Sequence, residues 1–192
     1  MKKKIMIFLF DGFSDWEIAY LTPEIRKNKT FDLVYFSYDG NPVFSMGGLR
    51  VMPDISLKDI HPEEVEMLIL PGGTAWEEGE NDFMDALVKD LLAEGKTVAA
   101  ICAATAYLGK KGYLNDRKHT SNDLYYLKGI APEYSGEKDY VNDLAVTGRN
   151  IITAKGIAPI EFAREIFAKL ELYQDNDLEK WFQLFKNGIW SE

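Results

Sequence analysis

The only cysteine of the chain, Cys102, lies where an apolar segment ends and a run of small residues begins with Ala103 and Ala104. Small side chains suit a tight strand-to-helix turn, and the pattern parallels the nucleophile elbow of hydrolases without its glycines. A thiol there faces the carboxyl edge of a sheet, and the partial positive charge of a helix N-terminus favours its thiolate. The alternative is an inert core cysteine, since free cysteine is among the most buried residue types. The pattern alone favours neither.

Two further segments carry candidate groups. Gly72 and Gly73 follow the buried strand that ends at Leu70, and paired glycines can turn backbone N–H groups toward a ligand, as an oxyanion hole requires. The same Pro-Gly-Gly sequence is also an ordinary turn. Asp15 and Glu17 come after the first strand, near the start of a helix. Asp15 is the better capping residue, which leaves Glu17 without a structural explanation.

Apolar runs alternate with helical patterns, which predicts βαβ units and a largely parallel sheet. The predicted strands are Lys4–Phe10, Phe31–Tyr38, Glu66–Leu70, Thr97–Ile101, Tyr140–Thr147 and Ile151–Ala154, the last two able to pair as a hairpin. The predicted helices are Asp15–Lys27 (with a kink or a second start at Pro23), Asp82–Glu94, Ala103–Lys111 and Pro159–Leu170. A small hairpin is predicted to join Pro42–Ser45 to Leu49–Met52.

The tail from residue 175 to residue 192 predicts one more helix, with a capping-box spacing at Asn176 and a stop at Gly188. Its apolar stripe, which includes Trp181, is expected to pack on its own domain; the alternative is a dimer contact. No repeat or linker interrupts the sequence. We therefore predict a single domain over residues 1–192, with a core from about 4 to 170 and a helical extension from about 175 to 192.

Composition excludes several classes of partner. The formal net charge is −9, which argues against binding to nucleic acid or to an anionic membrane surface. No apolar run reaches the ~20 residues of a membrane span, and the short run after the N-terminal lysines has no cleavage site for a signal peptide. One cysteine cannot form an internal disulfide, so we expect a cytoplasmic location.

Taken together, the three candidate segments resemble the ThiJ/PfpI family, which belongs to the class I glutamine amidotransferase-like superfamily. The matching residues are Glu17, Pro71-Gly72-Gly73 and Ile101-Cys102-Ala103, supported by Gly48, Val51, Pro53, Asp54, Gly112-Tyr113-Leu114, Thr120-Ser121, Thr153-Ala154-Lys155-Gly156 and Glu161-Phe162-Ala163. The resemblance implies a flavodoxin-like, doubly wound α/β fold with helices on both faces and an extra C-terminal helix. It also implies a homodimer and no cofactor.

By the same resemblance, Cys102 is the functional thiol and the Glu17 carboxyl lies within hydrogen-bond distance of its sulfur. The N–H groups of Gly73 and Ala103 would form the oxyanion site. Two anions sharing one site raise each other's pKa, so Glu17 should hold a proton beside a thiolate. Gly72, Trp76 and Asn122 are expected to line the substrate pocket.

The departures from the family pattern concern histidine. Ala103 stands where many hydrolytic members carry a histidine, and Asn122 stands where others supply one. In an extended segment His119 would point to the opposite face from Asn122. We interpret His61 and His119 as surface residues and predict no metal site, because no His/Cys pair has ligand spacing.

The leading hypothesis is a cofactor-independent, cysteine-dependent enzyme that acts on a small substrate. That substrate would be a reactive carbonyl such as an α-oxoaldehyde, or a small acyl or amide compound. Because no histidine can be assigned to the site, carbonyl chemistry fits better than proteolysis. Peptide hydrolysis needs a proton donor for the leaving amine. The alternatives are a non-enzymatic redox or stress-response protein that senses oxidation through Cys102, and a glutamine amidotransferase-like protein.

Overall fold

The computed structural model describes residues 2–190, and its centre is a mixed sheet of seven strands. The strands are β1 (Lys3–Phe8), β2 (Phe31–Ser37), β3 (Val43–Phe44), β4 (Arg50–Val51), β5 (Ile55–Ser56), β6 (Val65–Leu70), β7 (Thr97–Ile101), β8 (Ala145–Gly148) and β9 (Ile151–Ala154). The sheet order is β5-β2-β1-β6-β7-β9-β8, and every neighbouring pair is parallel except β8 with β9. Strands β3 and β4 form a separate antiparallel hairpin.

Seven α-helices accompany the sheet in the described part of the chain. They are α1 (Leu21–Lys27), α2 (Ala75–Glu78), α3 (Asp85–Ala93), α4 (Ala103–Lys110), α5 (Leu124–Ile130), α6 (Pro159–Lys169) and α7 (Asp177–Asn187). Helix α6 contacts α1 and α7, and α4 contacts α2 and α5. None of these helices has the length and apolarity needed to cross a membrane. The single-domain, doubly wound α/β fold is therefore confirmed.

The central strands form where the sequence is continuously apolar. All five residues of β7 are buried, as are the last four residues of β1 and of β6. A parallel strand covered by helices has no face left for polar side chains, so it appears in the sequence as an apolar run and not as an alternating pattern. This is why these strands were predicted to within one or two residues.

Three predicted elements differ from the structure by more than two residues or begin as a 3₁₀ turn. The helix predicted at Asp15–Lys27 is a 3₁₀ turn over Asp15–Glu17 followed by α1, so Pro23 marks a second start. Proline is tolerated in that first turn because the N–H that it lacks has no partner within the helix. The helix predicted at Asp82–Glu94 also begins with a 3₁₀ turn, before α3. The strand predicted from Tyr140 begins only at Ala145, at the start of β8.

Helix α5 was not predicted. Its N-cap residue is Asp123, whose carboxylate accepts hydrogen bonds from the N–H groups of Tyr125 (2.7 Å) and Tyr126 (3.4 Å). This is an N-terminal capping arrangement, and an aspartate before an apolar segment was the available signal. The helix matters for the site because it follows directly after Asn122.

Helix α7 packs on its own domain through Trp181. The Trp181 side chain is buried, and its ring lies 4.8 Å from that of Phe167 on α6. Arg164 on α6 forms an ion pair with Glu179 at 2.7 Å. Gly188 ends the helix in a left-handed conformation, as predicted.

The site lies where four parallel strands end side by side. Strands β1, β6, β7 and β9 are neighbours in that order, so their carboxyl ends meet at one edge of the sheet. The segments that leave this edge carry Glu17 after β1, Gly72 after β6, Cys102 after β7 and Gly156 after β9. Open α/β sheets bind their ligands at this edge.

Candidate active site

Cys102 lies on a sharp turn between β7 and α4. Its backbone has φ 59° and ψ −130°, a conformation that residues with side chains rarely adopt. The turn is held from both sides: Cys102 N–H donates to Ala154 O on β9 (3.0 Å), and Thr105 Oγ1 donates to Cys102 O (2.6 Å). The side chain is partly exposed. Such strain is typical of functional sites, and the geometry differs from that of a cysteine enclosed in the core.

The side chains of Glu17 and Cys102 both pack against the glycine turn that follows β6. The Glu17 side chain is fully buried, and Gly72 N–H donates to its Oε2 at 2.6 Å. A methyl group placed on Gly72 would lie 2.6 Å from Cys102 Cβ and 2.9 Å from Glu17 Oε2, so this position must be glycine for the three segments to meet. The other oxygen, Oε1, is buried and makes no well-formed hydrogen bond with any group of residues 2–190.

The two side chains oppose each other's ionisation. Burial raises the pKa of Glu17 to about 7, against the opposing effects of Gly72 and Cys102. Burial first, and then the negative charge of Glu17, raise the pKa of the Cys102 thiol to about 11. The direction for Cys102 is opposite to the lowering expected from a helix N-terminus alone, because burial and a neighbouring charge outweigh a partial dipole. The pair thus carries one negative charge between about pH 7 and pH 11.

Two N–H donors contact the thiol sulfur. The N–H of Ala103 and the side-chain amide of Asn122 both bond to Cys102 sulfur and lower its pKa. Asn122 Nδ2 lies 3.4 Å from Sγ, and its Oδ1 accepts Gly156 N–H at 2.8 Å, which fixes the orientation of the amide. Gly73 N–H, the other donor predicted for the oxyanion site, makes no hydrogen bond to a backbone carbonyl group of residues 2–190. The Cys102 sulfur therefore contacts N–H donors, and Glu17 is the one basic group described beside it.

Asn122 is held in place by the segment before it and by α5. Ser121 Oγ lies 2.6 Å from Thr105 Oγ1 on α4, and Thr120 N–H donates to Thr153 Oγ1 on β9 at 2.8 Å. Tyr126 on α5 forms a hydrogen bond with Asn122 and donates another to Glu77 Oε1 at 2.6 Å. The amide beside the thiol is thus positioned from three elements.

A cleft of about 540 Å³ opens onto the thiol. It is lined by Trp16, Glu17, Cys102, Asn122, Lys155, Gly156, Ile157 and Pro159. Sequence reasoning found three of these residues and missed the others, although the segment from Thr153 to Gly156 had been matched to the family. The available signal was that this segment leaves β9, whose predicted carboxyl end shares an edge with that of β7.

Trp76 does not line the cleft, so its predicted role as a pocket residue is wrong. Its side chain is fully buried, and its indole N–H donates to Pro71 O at 2.8 Å. Its ring lies 4.7 Å from that of Tyr107 and 5.7 Å from that of Phe10. Trp76 supports the glycine turn from inside the core, since its one-turn helix directs it inward.

Neither histidine reaches the site. His61 is exposed, as predicted, but His119 is fully buried and not at the surface. Its Nδ1–H donates to Arg117 O (2.7 Å), and its Nε2 accepts from Tyr134 O–H (2.6 Å), because a carbonyl oxygen can only accept. Burial lowers the pKa of His119. Within residues 2–190, no three His, Cys, Asp or Glu side chains are grouped to hold a metal ion.

Comparisons with known proteins agree with this geometry. The family model described as DJ-1/PfpI matches residues 3–169. The chain belongs to the DJ-1/PfpI family. The crystal structure of a ThiJ/PfpI family protein from Bacillus anthracis superimposes with a TM-score of 0.92 at 38% identity, covering 98% of this chain and 92% of that one.

Two relatives carry names that indicate an activity. A Bacillus subtilis protein named as an uncharacterized protease, YoaZ, is 39% identical over 191 residues, covering 96% of this chain and 91% of the relative. A Thermococcus kodakarensis protein named as a deglycase is 33% identical over 119 residues, covering 62% of this chain and 71% of the relative. The relatives of this chain are thus named as enzymes of more than one kind.

Proposed function

We propose that this protein is a cysteine-dependent enzyme that converts small α-oxoaldehydes to hydroxy acids, with Cys102 as nucleophile and Glu17 as proton carrier. The observation that carries this proposal is one cleft that contains a partly exposed thiol, a buried carboxyl group and the donating amide of Asn122. Among the relatives of the chain, one is named a deglycase and another an uncharacterized protease. A cysteine nucleophile serves both chemistries.

The reactive form places the proton on Glu17 and the negative charge on sulfur. A proton on the unpartnered Oε1 can be donated to Sγ, which satisfies a buried oxygen that otherwise has no partner. The sulfur faces the cleft and receives N–H groups from Ala103 and Asn122, whereas the Glu17 carboxyl is fully buried and receives one N–H. These donors stabilise the thiolate tautomer, which forms when the thiol proton moves to the Glu17 carboxylate.

Carbon–sulfur bond formation is the first step. The thiolate adds to the aldehyde carbon, and the carbonyl electron pair moves to oxygen, where the N–H groups of Gly73 and Ala103 stabilise it. This oxygen takes the proton from Glu17, which yields a thiohemiacetal and a free carboxylate.

The carboxylate then carries hydrogen between two carbons. Glu17 removes the proton from the former aldehyde carbon and passes it to the neighbouring carbonyl oxygen, which gives an enediol. It then takes the hydroxyl proton of the first carbon and delivers a proton to the adjacent carbon, which gives a thioester with a 2-hydroxyl group. Water attacks the thioester, the carbon–sulfur bond breaks, and the thiol is restored. The sum is one α-oxoaldehyde plus one water giving one 2-hydroxy acid, so no external oxidant or reductant enters.

Peptide hydrolysis fits this cleft less well. A leaving amine needs a proton from a donor on its own side, and no histidine lines the part of the cleft that the structure describes. The thioester intermediate proposed above has a thiolate leaving group, which departs without that assistance. Asn122 occupies the place of the missing histidine as a neutral donor.

Lactate formation from methylglyoxal tests the proposal in wild type, Cys102→Ser and Cys102→Ala. Lactate is the readout because lysine and arginine side chains consume methylglyoxal without catalysis. We expect both variants to lose at least about 100-fold in rate, because a covalent step cannot proceed without the thiol. His61→Ala, at an exposed histidine outside the cleft, is the control and should keep the wild-type rate.

Equal lactate rates in wild type and Cys102→Ala would refute a role for this thiol in the chemistry. In that case the redox-sensor hypothesis is tested on the same samples, by intact mass after mild peroxide. The homodimer and the cytoplasmic location stay predictions.

A further inference from the structure

The cleft contains one cation. Of the residues that line it, only Cys102, Glu17 and Lys155 can carry a charge, and Lys155 alone carries a positive one. Its Nζ donates to the neutral Asn142 Oδ1 at 2.7 Å, and it forms no ion pair with a carboxylate in the described part of the chain. Other basic side chains do pair with acids, such as Lys111 with Asp82 and Arg164 with Glu179. The charge of Lys155 is therefore left available at the site.

Lys155 directly precedes Gly156, the residue that borders the reactive groups. Its N–H donates to Leu144 O (3.0 Å), which holds the backbone, and the next residue is Gly156. A methyl group on Gly156 would lie 2.8 Å from Cys102 Sγ and 3.3 Å from Glu17 Oε1. Glycine at this position keeps free the space between the reactive groups and the residue that carries the cation.

The rest of the cleft is apolar or positively polarised. Trp16 and Ile157 form apolar walls, 44% and 82% exposed. Pro159 is the first residue of α6, whose N-terminal end carries a partial positive charge. An apolar passage with a cation beside it suits a short aliphatic chain that ends in an anion.

We propose that Lys155 makes the cleft selective for α-oxoaldehydes that carry a carboxylate at the end remote from the aldehyde; this rests on the proposed function. A protein with a net charge of −9 repels small anions, so a site that accepts one needs a local cation. A neutral substrate gives no reason for a lysine without a carboxylate partner among the residues that line the cleft. The flexible lysine reaches the carboxylate while Cys102 engages the aldehyde.

The test compares two substrates of equal length. The first is 4,5-dioxopentanoate, and the second is 2-oxopentanal, in which a methyl group replaces the carboxylate. Their products are 2-hydroxyglutarate and 2-hydroxypentanoate. Lys155→Met removes the charge and keeps the length of the side chain, and Lys155→Arg keeps the charge. Lys169→Met is the matched control, because Lys169 is exposed on α6, away from the cleft, and its Nζ also bonds to a neutral oxygen, Arg149 O.

We expect Lys155→Met to lower kcat/KM for 4,5-dioxopentanoate about tenfold and for 2-oxopentanal less than twofold. Lys155→Arg should restore most of the loss, and Lys169→Met should match wild type. The preference of the wild type for the anion should shrink as ionic strength rises. An equal fall for both substrates, or no fall for either, overturns the proposal.

Protection of the thiol separates this proposal from the proposed function. Levulinate has the carboxylate of the first substrate but no aldehyde, and 2-pentanone is its neutral counterpart. We expect levulinate, and not 2-pentanone, to slow iodoacetamide alkylation of Cys102 in wild type, and Lys155→Met to abolish this protection. If neither oxoaldehyde is converted but protection behaves in this way, the proposed reaction fails and the anion site stands. If levulinate gives no protection, the anion site fails.

Discussion

Glu17→Gln tests the central claim about the buried acid, because it removes the charge and keeps the shape. Gly72 N–H can still donate to the amide oxygen in the place of Oε2. The amide NH₂ then takes the place of Oε1 and can donate to Sγ, but it cannot exchange a proton with the substrate. The variant therefore separates the hydrogen bonds of Glu17 from its acid–base chemistry.

The expected effect on stability follows from the pKa of Glu17. Burial raises this pKa from 4.5 to about 7, and each pKa unit corresponds to about 1.4 kcal/mol. A carboxyl group with a raised pKa in the folded state contributes stability below pH 4.5 and loses it as the pH rises to 7. Wild type should therefore lose about 3 kcal/mol relative to Glu17→Gln between pH 4 and pH 8.

The assay is urea unfolding of both proteins at several pH values, with their difference in free energy plotted against pH. Glu94→Gln, at an exposed glutamate after α3, is the control, and its difference from wild type should stay constant. We also expect lactate formation by Glu17→Gln to fall at least about 100-fold, as for loss of a general acid–base group. Alkylation of Cys102 should change far less. A pH-independent difference between wild type and Glu17→Gln, together with retained turnover, would refute the reasoning.

Two further predictions concern the glycine beside the thiol and the C-terminal helix. Gly156→Ala should slow iodoacetamide alkylation of Cys102 at least tenfold with circular dichroism unchanged, since the new methyl group would lie 2.8 Å from Sγ; Gly129→Ala, where nothing lies within 4 Å, is the control. Unchanged alkylation would contradict the cleft geometry. Trp181→Ala should lower the free energy of unfolding by about 3–5 kcal/mol in urea titrations, because it empties a buried site against Phe167, whereas Trp190→Ala, 77% exposed, should have little effect. A loss below 1 kcal/mol would show that α7 contributes little to the domain.

The central strands were predictable because their burial is local information. Strands β1, β6 and β7 are continuous apolar runs in the sequence, and such runs of this length have few other solutions in a soluble α/β domain. The elbow at Cys102 was also predictable, since small residues follow the strand directly. Helix boundaries were less certain where 3₁₀ turns precede helices, because hydrophobic spacing does not distinguish the two.

Side-chain environments were predicted less well. Trp76 was expected to line the substrate pocket, yet a one-turn helix directs the indole into the core. His119 was placed at the surface, but Tyr134 and Arg117 satisfy both ring nitrogens inside the protein. A polar residue can be buried wherever its partners are, and the partner Tyr134 lies 15 residues away in the sequence.

The sequence alone determined the fold class, the thiol and its neighbours in the chain, because apolar periodicity and small-residue turns are local properties. The tertiary structure decided that Gly72 N–H binds Glu17, that Asn122 faces the sulfur, and that Lys155 and Gly156 complete the cleft. It also decided the direction of the Cys102 pKa, since burial and a carboxyl group from a distant segment outweigh the helix terminus. Desolvation and charge act through space, and only the folded chain brings these groups within reach of one another.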